Sequence, residues 1–143
     1  MSIYLSKIIH YSSKLVWQVI GDPARVDWVP GVEACEFDGA VRRFTMEGAG
    51  ELRERIHLID HERRRIEYGV IESSAEIIHH HATIQVNNFT IDPTIDPAMG
   101  SDVVWEVEIQ PEQLEPFVKE SMRLALIELN RVLEKELHDS FFS

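Results

Sequence analysis

The stretch LEPFVKESMRLALIELNRVL, residues 114–133, settles the architecture. In it Leu114, Phe117, Val118, Ser121, Met122, Ala125, Leu129, Val132 and Leu133 recur at helical spacing over about six turns, and Leu124, Leu126 and Ile127 widen the apolar stripe. A helix apolar over so broad an arc needs cover on more than one side, and a curved sheet wrapped around it supplies that cover. Pro116 belongs in the first turn, where its missing N–H costs nothing, or marks a bend.

The residues before this helix read as that sheet. Residues 2–10 mix β-branched and polar side chains as a first strand does; Ser12 then N-caps a short helix carrying Leu15, Val16 and Ile20, stopped by Gly21-Asp22-Pro23. A second brief helical turn is expected over Ala24–Asp27. Strands follow at Val32–Phe37, Val41–Met46, Glu51–Ile59, Arg65–Ile71, His79–Ile91 and Asp102–Ile109. Their separators have turn chemistry: Asp38-Gly39, Gly48-Ala49-Gly50, the charged Asp60–Arg64, and Asp92–Gly100 with two prolines and a glycine. Short loops between consecutive strands imply antiparallel pairing. The fold class expected is α+β: about seven antiparallel strands around a long C-terminal helix, with two short helices after the first strand, in one domain over residues 1–143.

Successive strand side chains point to opposite faces, so alternation assigns them. Leu52, Glu54, Ile56 and Leu58 share the covered face with Ile66, Tyr68 and Val70, with His80, Ala82, Ile84 and Val86, and with Val103, Trp105, Val107 and Ile109. Opposite lie Arg53, Arg55, His57, His79, His81, Thr83, Gln85, Asp102, Glu106 and Glu108.

With 44% hydrophobic and 27% charged residues in 143, the chain has the composition of an ordinary water-soluble domain. Its formal charge of −11 repels phosphate backbones and anionic lipid, so no nucleic acid is expected as partner. The basic triplet Arg63-Arg64-Arg65 is flanked by Glu62 and Glu67 and reads as a solvated turn. Cys35 is the one cysteine, which excludes an intrachain disulfide and suits a reducing cytoplasm. The N-terminus lacks the pattern of a secretory signal, and no run approaches the roughly 18 apolar residues of a membrane span, so no membrane insertion is expected.

Leu15–Asp22, Trp28-Val29-Pro30-Gly31-Val32, and Glu54-Arg55-Ile56 followed by Asp60 and Tyr68 resemble the spaced signature of the helix-grip superfamily. That superfamily includes the birch-pollen allergen proteins, the START lipid-transfer domains and bacterial polyketide cyclase/dehydrase-like proteins. The stretch from Glu54 to about Val86 is also similar to the plant abscisic-acid receptors. There, however, the lysine that binds the hormone carboxylate corresponds to Pro30 here, and the gating loop to the short Glu47-Gly48-Ala49-Gly50, so the hormone does not transfer. The resemblance implies an internal cavity faced by Glu54, Tyr68, Val70, His80 and Ala82 from the sheet and by Phe117, Ser121 and Ala125 from the helix. Alternation had already placed those five sheet residues on the covered face.

Glu54 and His80 are ionisable groups on an apolar face, where burial and neighbours retune acids and bases. With Tyr68 as hydrogen-bond donor they form a candidate catalytic set for cyclising or dehydrating a polyketone; the plainer reading is that the three satisfy one another or orient a passive ligand. His79-His80-His81 invites a metal reading. Only His79 and His81 share a face, though, and even with His57 near them solvated histidines are the simpler account, so no metal and no cofactor is expected. Trp28 and Trp105 either stack on a flat ligand at the cavity and its mouth or pack as core. Trp17 is read as structural and Cys35 as inert packing. The segment around Trp28–Gly31 and the Gly48–Gly50 turn are the expected entrance.

Three functions follow. The first is binding of a hydrophobic or aromatic small molecule or lipid in the cavity, the second a polyketide-type cyclase or dehydratase, the third a module docking a chaperone or quinone-pathway partner through its exterior. Phe141 and Phe142, beyond the apolar stripe, either dock on the body or join two copies in a homodimer.

Overall fold

The computed structural model describes residues 2–94 and 100–142, the last three of these as backbone only. The chain forms β1 (Ser2–Ile9), α1 (Ser13–Ile20), β2 (Val32–Phe37), β3 (Val41–Met46), β4 (Gly50–Asp60), β5 (Arg65–Ser73), β6 (His79–Phe89), β7 (Gly100–Gln110), a 3-10 turn at Glu112–Leu114, and α2 (Glu115–Phe142). The strands make one seven-stranded antiparallel sheet in the order β1-β7-β6-β5-β4-β3-β2. β2 to β7 are therefore a simple meander, while β1 pairs with β7 at the opposite edge. The connection from β1 to β2 has to cross the whole sheet, and α1 with the turns after it makes that crossing.

Ser12 caps α1 as its position suggests: its hydroxyl accepts the Leu15 N–H at 3.3 Å. At the other end Gly21 N–H closes on Trp17 O at 2.8 Å, and a Cβ built on Gly21 would come within 2.4 Å of the Trp17 indole. Trp17 cannot retreat, being buried with its Nε1 donating to His61 Nδ1 at 3.0 Å. Gly21→Ala should therefore cost about 1–3 kcal/mol by overpacking, seen as a lower urea midpoint at unchanged slope. The second helical turn expected over Ala24–Asp27 takes the form of separate i→i+3 turns, Arg25 N–H to Asp22 O and Val29 N–H to Val26 O. Pro23 keeps Asp22 out of helical geometry, and the Asp22 carboxylate instead accepts the Ala24 N–H.

The core joins the inner faces of β5, β6 and β7 to α1 and to Met122, Ala125, Leu126, Leu129 and Leu133 of α2. Pro116 sits in the first turn of α2. Leu124 and Ile127 do not widen the buried stripe as expected; they are 39% and 38% exposed on its flank. Leu58 is a second correction. β4 carries a bulge between Ile56 and Leu58, so the pairing steps from Ile56↔Tyr68 to Leu58↔Glu67 and parity reverses. Leu58 turns outward and Ile59, opposite Ile66, packs against the core in its place. β6 ends at Phe89 rather than Ile91.

The outer face of the sheet is charged: Arg53 pairs with Glu72, Arg65 with Glu67 and His79 with Glu108, and the rings of His57 and His81 stack at 5.7 Å. Arg63-Arg64-Arg65 divides its work, with Arg63 in solvent, Arg64 donating to Ser13 Oγ at 2.7 Å, and Arg65 on Glu67. No described helix is long and apolar enough to cross a membrane. Part of the expected turn at Asp92–Gly100, namely residues 95–99, and the side chains of Phe141 and Phe142 lie outside the described residues.

Candidate functional site

Between the curved sheet and the N-terminal half of α2 lies a cavity of about 350 Å³. Phe44, Leu52, Ile66, Val70, Ile84, Val107 and Ile109 wall it from the sheet, and Leu114, Phe117, Val118, Ser121 and Met122 from the helix side. Trp28 and Trp105 meet at a ring-centroid distance of 5.4 Å, so each belongs both to the buried core and to the cavity wall. Arg25, Val26 and Val29 line the cavity from the segment after α1, and Gly48-Ala49 line it from the turn between β3 and β4. These two segments are fastened together, since Glu47 N–H donates to Gly31 O at 2.8 Å. Gly48 lies so close to Phe117 that an added Cβ would sit 2.8 Å from its ring, and its φ of +86° favours glycine.

Of the residues expected at the cavity, Trp28, Glu54, Tyr68, Val70, His80, Trp105, Phe117 and Ser121 line it. Ala82 and Ala125 do not. Both are fully buried in the closed core. Ala82 stands between Tyr68 and Val107 in the ladder, and these larger side chains reach the cavity where its methyl does not. Ala125 lies one helical turn beyond Ser121, past the end of the open space.

The polar end of the cavity is organised by a residue that the sequence reading passed over, Arg42. It faces Glu54 across the β3–β4 ladder, its Nε donates to Glu54 Oε1 at 2.7 Å, and its guanidinium carbon lies 4.7 Å from the centroid of the Tyr68 ring. The side chains of the pair are only 12% and 8% exposed. A third contact runs from Arg42 Nη1 to Pro23 O at 3.4 Å. Burial disfavours the Arg42 charge, yet the carboxylate of Glu54 outweighs it and the guanidinium pKa is raised. A signal for Arg42 was present: Phe44 and Met46 follow at two and four positions, and alternation puts all three on the covered face.

Tyr68 and His80 complete the polar end. Trp105 Nε1 donates to the Tyr68 hydroxyl at 3.1 Å, which leaves the hydroxyl hydrogen without an acceptor among the described residues. Burial, with the nearby negative charge of Glu54, pushes the Tyr68 pKa up, so the hydroxyl stays protonated. The β5–β6 ladder ends at Tyr68↔Ala82, and past it the Val70 N–H donates to His80 Nδ1 at 3.2 Å. Nδ1 accepting places the proton of neutral His80 on Nε2. Burial is also the largest influence on His80 and lowers its pKa. Such a histidine is neutral in the fold and protonates more readily in the unfolded chain, so its stabilising share is present above the ordinary value of 6.5 and shrinks as pH falls below it. The stability difference between wild type and His80→Gln, followed by urea unfolding, should narrow between about pH 7.5 and pH 5.

Cys35 is half-buried, and its thiol is pushed up by burial. Among the described residues no group of three or more histidine, cysteine or acidic side chains could hold a metal ion.

The family model described as polyketide cyclase / dehydrase and lipid transport matches residues 1–138. The chain belongs to that family. No curated protein matches it. Among solved structures it is similar to an uncharacterised protein from Bacillus thuringiensis, with TM-score 0.78 and 22% identity over 93% of this chain and 98% of that one. It is also similar to the protein XoxI from Bacillus cereus, with TM-score 0.79 and 22% identity over 92% and 94%. A protein from Nitrosospira multiformis gives TM-score 0.75 at 19% identity over 96% and 99%. At these identities the likeness is one of fold, a polyketide cyclase/dehydrase-family sheet curved around a C-terminal helix.

Proposed function

We propose that the protein binds a hydrophobic or aromatic small molecule in the cavity between the sheet and α2. The observation that carries this reading is the cavity itself: about 350 Å³ of apolar-walled space with its polar groups gathered at Arg42, Glu54, Tyr68 and His80. An apolar chamber with a few placed polar groups is the usual form of a ligand pocket. The fastened rim segments, residues 28–31 and 47–50, open and close the mouth against Phe117. Native mass spectrometry of the purified protein tests the binding: a defined small-molecule adduct that disappears under denaturing conditions is the expected result. A chamber that takes up neither its own guest nor any added apolar compound would overturn the reading. For the rim, amide exchange as slow as in the central strands would exclude the gating role.

A second reading, an enzyme that cyclises or dehydrates a polyketide-like substrate, draws on one feature. The Tyr68 hydroxyl and His80 Nε2 are proton donors on the cavity wall with no acceptor among the described residues, and so can donate to a carbonyl of a guest. In this reading Glu54, His80 and Tyr68 are the catalytic set. Incubating the guest with protein should yield either a cyclised isomer of unchanged mass, separable by chromatography, or a dehydration product one water lighter, and neither with Tyr68→Phe. An unchanged guest leaves the chamber as a binding site.

A further inference from the structure

Among the described residues the formally charged side chains on the wall of the chamber are Arg25, Arg42 and Glu54, and none is at the disposal of a charged guest. Arg42 is held by Glu54 and covered by the Tyr68 ring. Arg25 takes both carboxylate oxygens of Asp27, from Nε at 2.9 Å and Nη2 at 3.0 Å, and also pairs with Glu136 of α2. Around the site the chain carries a net charge of −11, which repels anions on approach. What the chamber does leave open is neutral hydrogen-bonding capacity. Tyr68 O–H and His80 Nε2–H can donate, and the Glu54 oxygen that Arg42 Nε does not use can accept.

We propose that the chamber selects an uncharged ligand bearing a carbonyl or hydroxyl group and refuses carboxylates, because each cation on its wall already holds a carboxylate of this chain. Glu54 is the specificity-determining residue. It occupies the position beside the buried guanidinium that a ligand carboxylate would otherwise take, and a second carboxylate there meets like charge with no spare cation. The inference rests on the binding reading above. It adds a consequence: removing the charge of Glu54 while keeping its shape frees Arg42 to hold an anion.

The experiment uses the full chain at pH 8 and three probes: the uncharged apolar fluorophore N-phenyl-1-naphthylamine, and as competitors 2-acetonaphthone and 2-naphthoate, which share a ring system and differ in charge. The fluorophore should bind wild type, the ketone should displace it at least about tenfold more tightly than the carboxylate, and Glu54→Gln should shift that ratio toward the carboxylate by at least about tenfold. Wild-type protein that binds naphthoate as tightly as the ketone overturns the inference without any variant. So does a folded Glu54→Gln protein with an unchanged ratio. In both cases fluorophore binding leaves the cavity reading standing, whereas absence of binding by the fluorophore and both naphthalene probes, together with no adduct in native mass spectrometry, sinks that reading and this inference with it.

Discussion

Glu54→Ala should destabilise the fold by about 3–5 kcal/mol, because it strands the Arg42 guanidinium in a site with no second carboxylate. The side chains of the pair are 12% and 8% exposed, and among the described residues the only other acceptor on Arg42 is Pro23 O at 3.4 Å. Arg42→Met combined with Glu54→Leu removes both charges at roughly conserved volume and should return stability to within about 1 kcal/mol of wild type. Urea unfolding of the two single variants and the double variant closes the cycle, and a coupling of several kcal/mol is expected. A coupling below about 1 kcal/mol would mean that water entering the cavity solvates the guanidinium. Glu54→Gln should be the milder change, since its amide oxygen can still accept from Arg42 Nε.

Ser121→Phe should abolish uptake of an apolar guest without lowering stability. Ser121 stands on the helix side of the cavity between Phe117 and Met122, facing open space of about 350 Å³. A phenyl ring placed there fills volume a ligand needs and adds apolar contact in a void, a change that commonly adds about 0.5–2 kcal/mol. Fluorophore titration should show affinity down by at least about a hundredfold, equivalent to roughly 2.7 kcal/mol, while the urea midpoint holds or rises. Binding retained at wild-type strength would place the guest outside this chamber.

Periodicity carried most of the fold. The meander from β2 to β7 follows from alternation between turn residues, and α2 from the 3.6-residue recurrence of Met122, Ala125, Leu129 and Leu133. What it missed has physical causes. The bulge beyond Ile56 inserts one residue and inverts every later face assignment in β4, which no count of apolar positions reveals, so Leu58 was placed inside. Helical spacing likewise gives direction without the width of the cover, so Leu124 and Ile127 were drawn into the core although the sheet does not reach them. At the site, alternation told inner from outer but not depth. Glu54, Tyr68 and His80 line the cavity, while Ala82, on the same face, is too short to reach it. Arg42 escaped because cations in a strand read as solvated, here with Arg43 beside it, and its partner lies in the next strand rather than at a helical spacing in its own.

The pairing of β1 with β7 joins Ser2 to Glu108 and Ile9 to Ser101. During synthesis at about 5–20 residues per second, the first strand leaves the ribosome roughly 5 to 20 s before the strand that will receive it. Throughout that interval the β2–β6 meander can form by local hairpins, but Ile3 and Ile9, both destined for the core, have no sheet to join. Until β7 emerges, β1 is an unpaired strand with apolar side chains, the kind of segment that holdase chaperones and neighbouring nascent chains capture. The β1–β7 pairing spans more of the sequence than any other in the sheet, and it can close only after β7 has emerged.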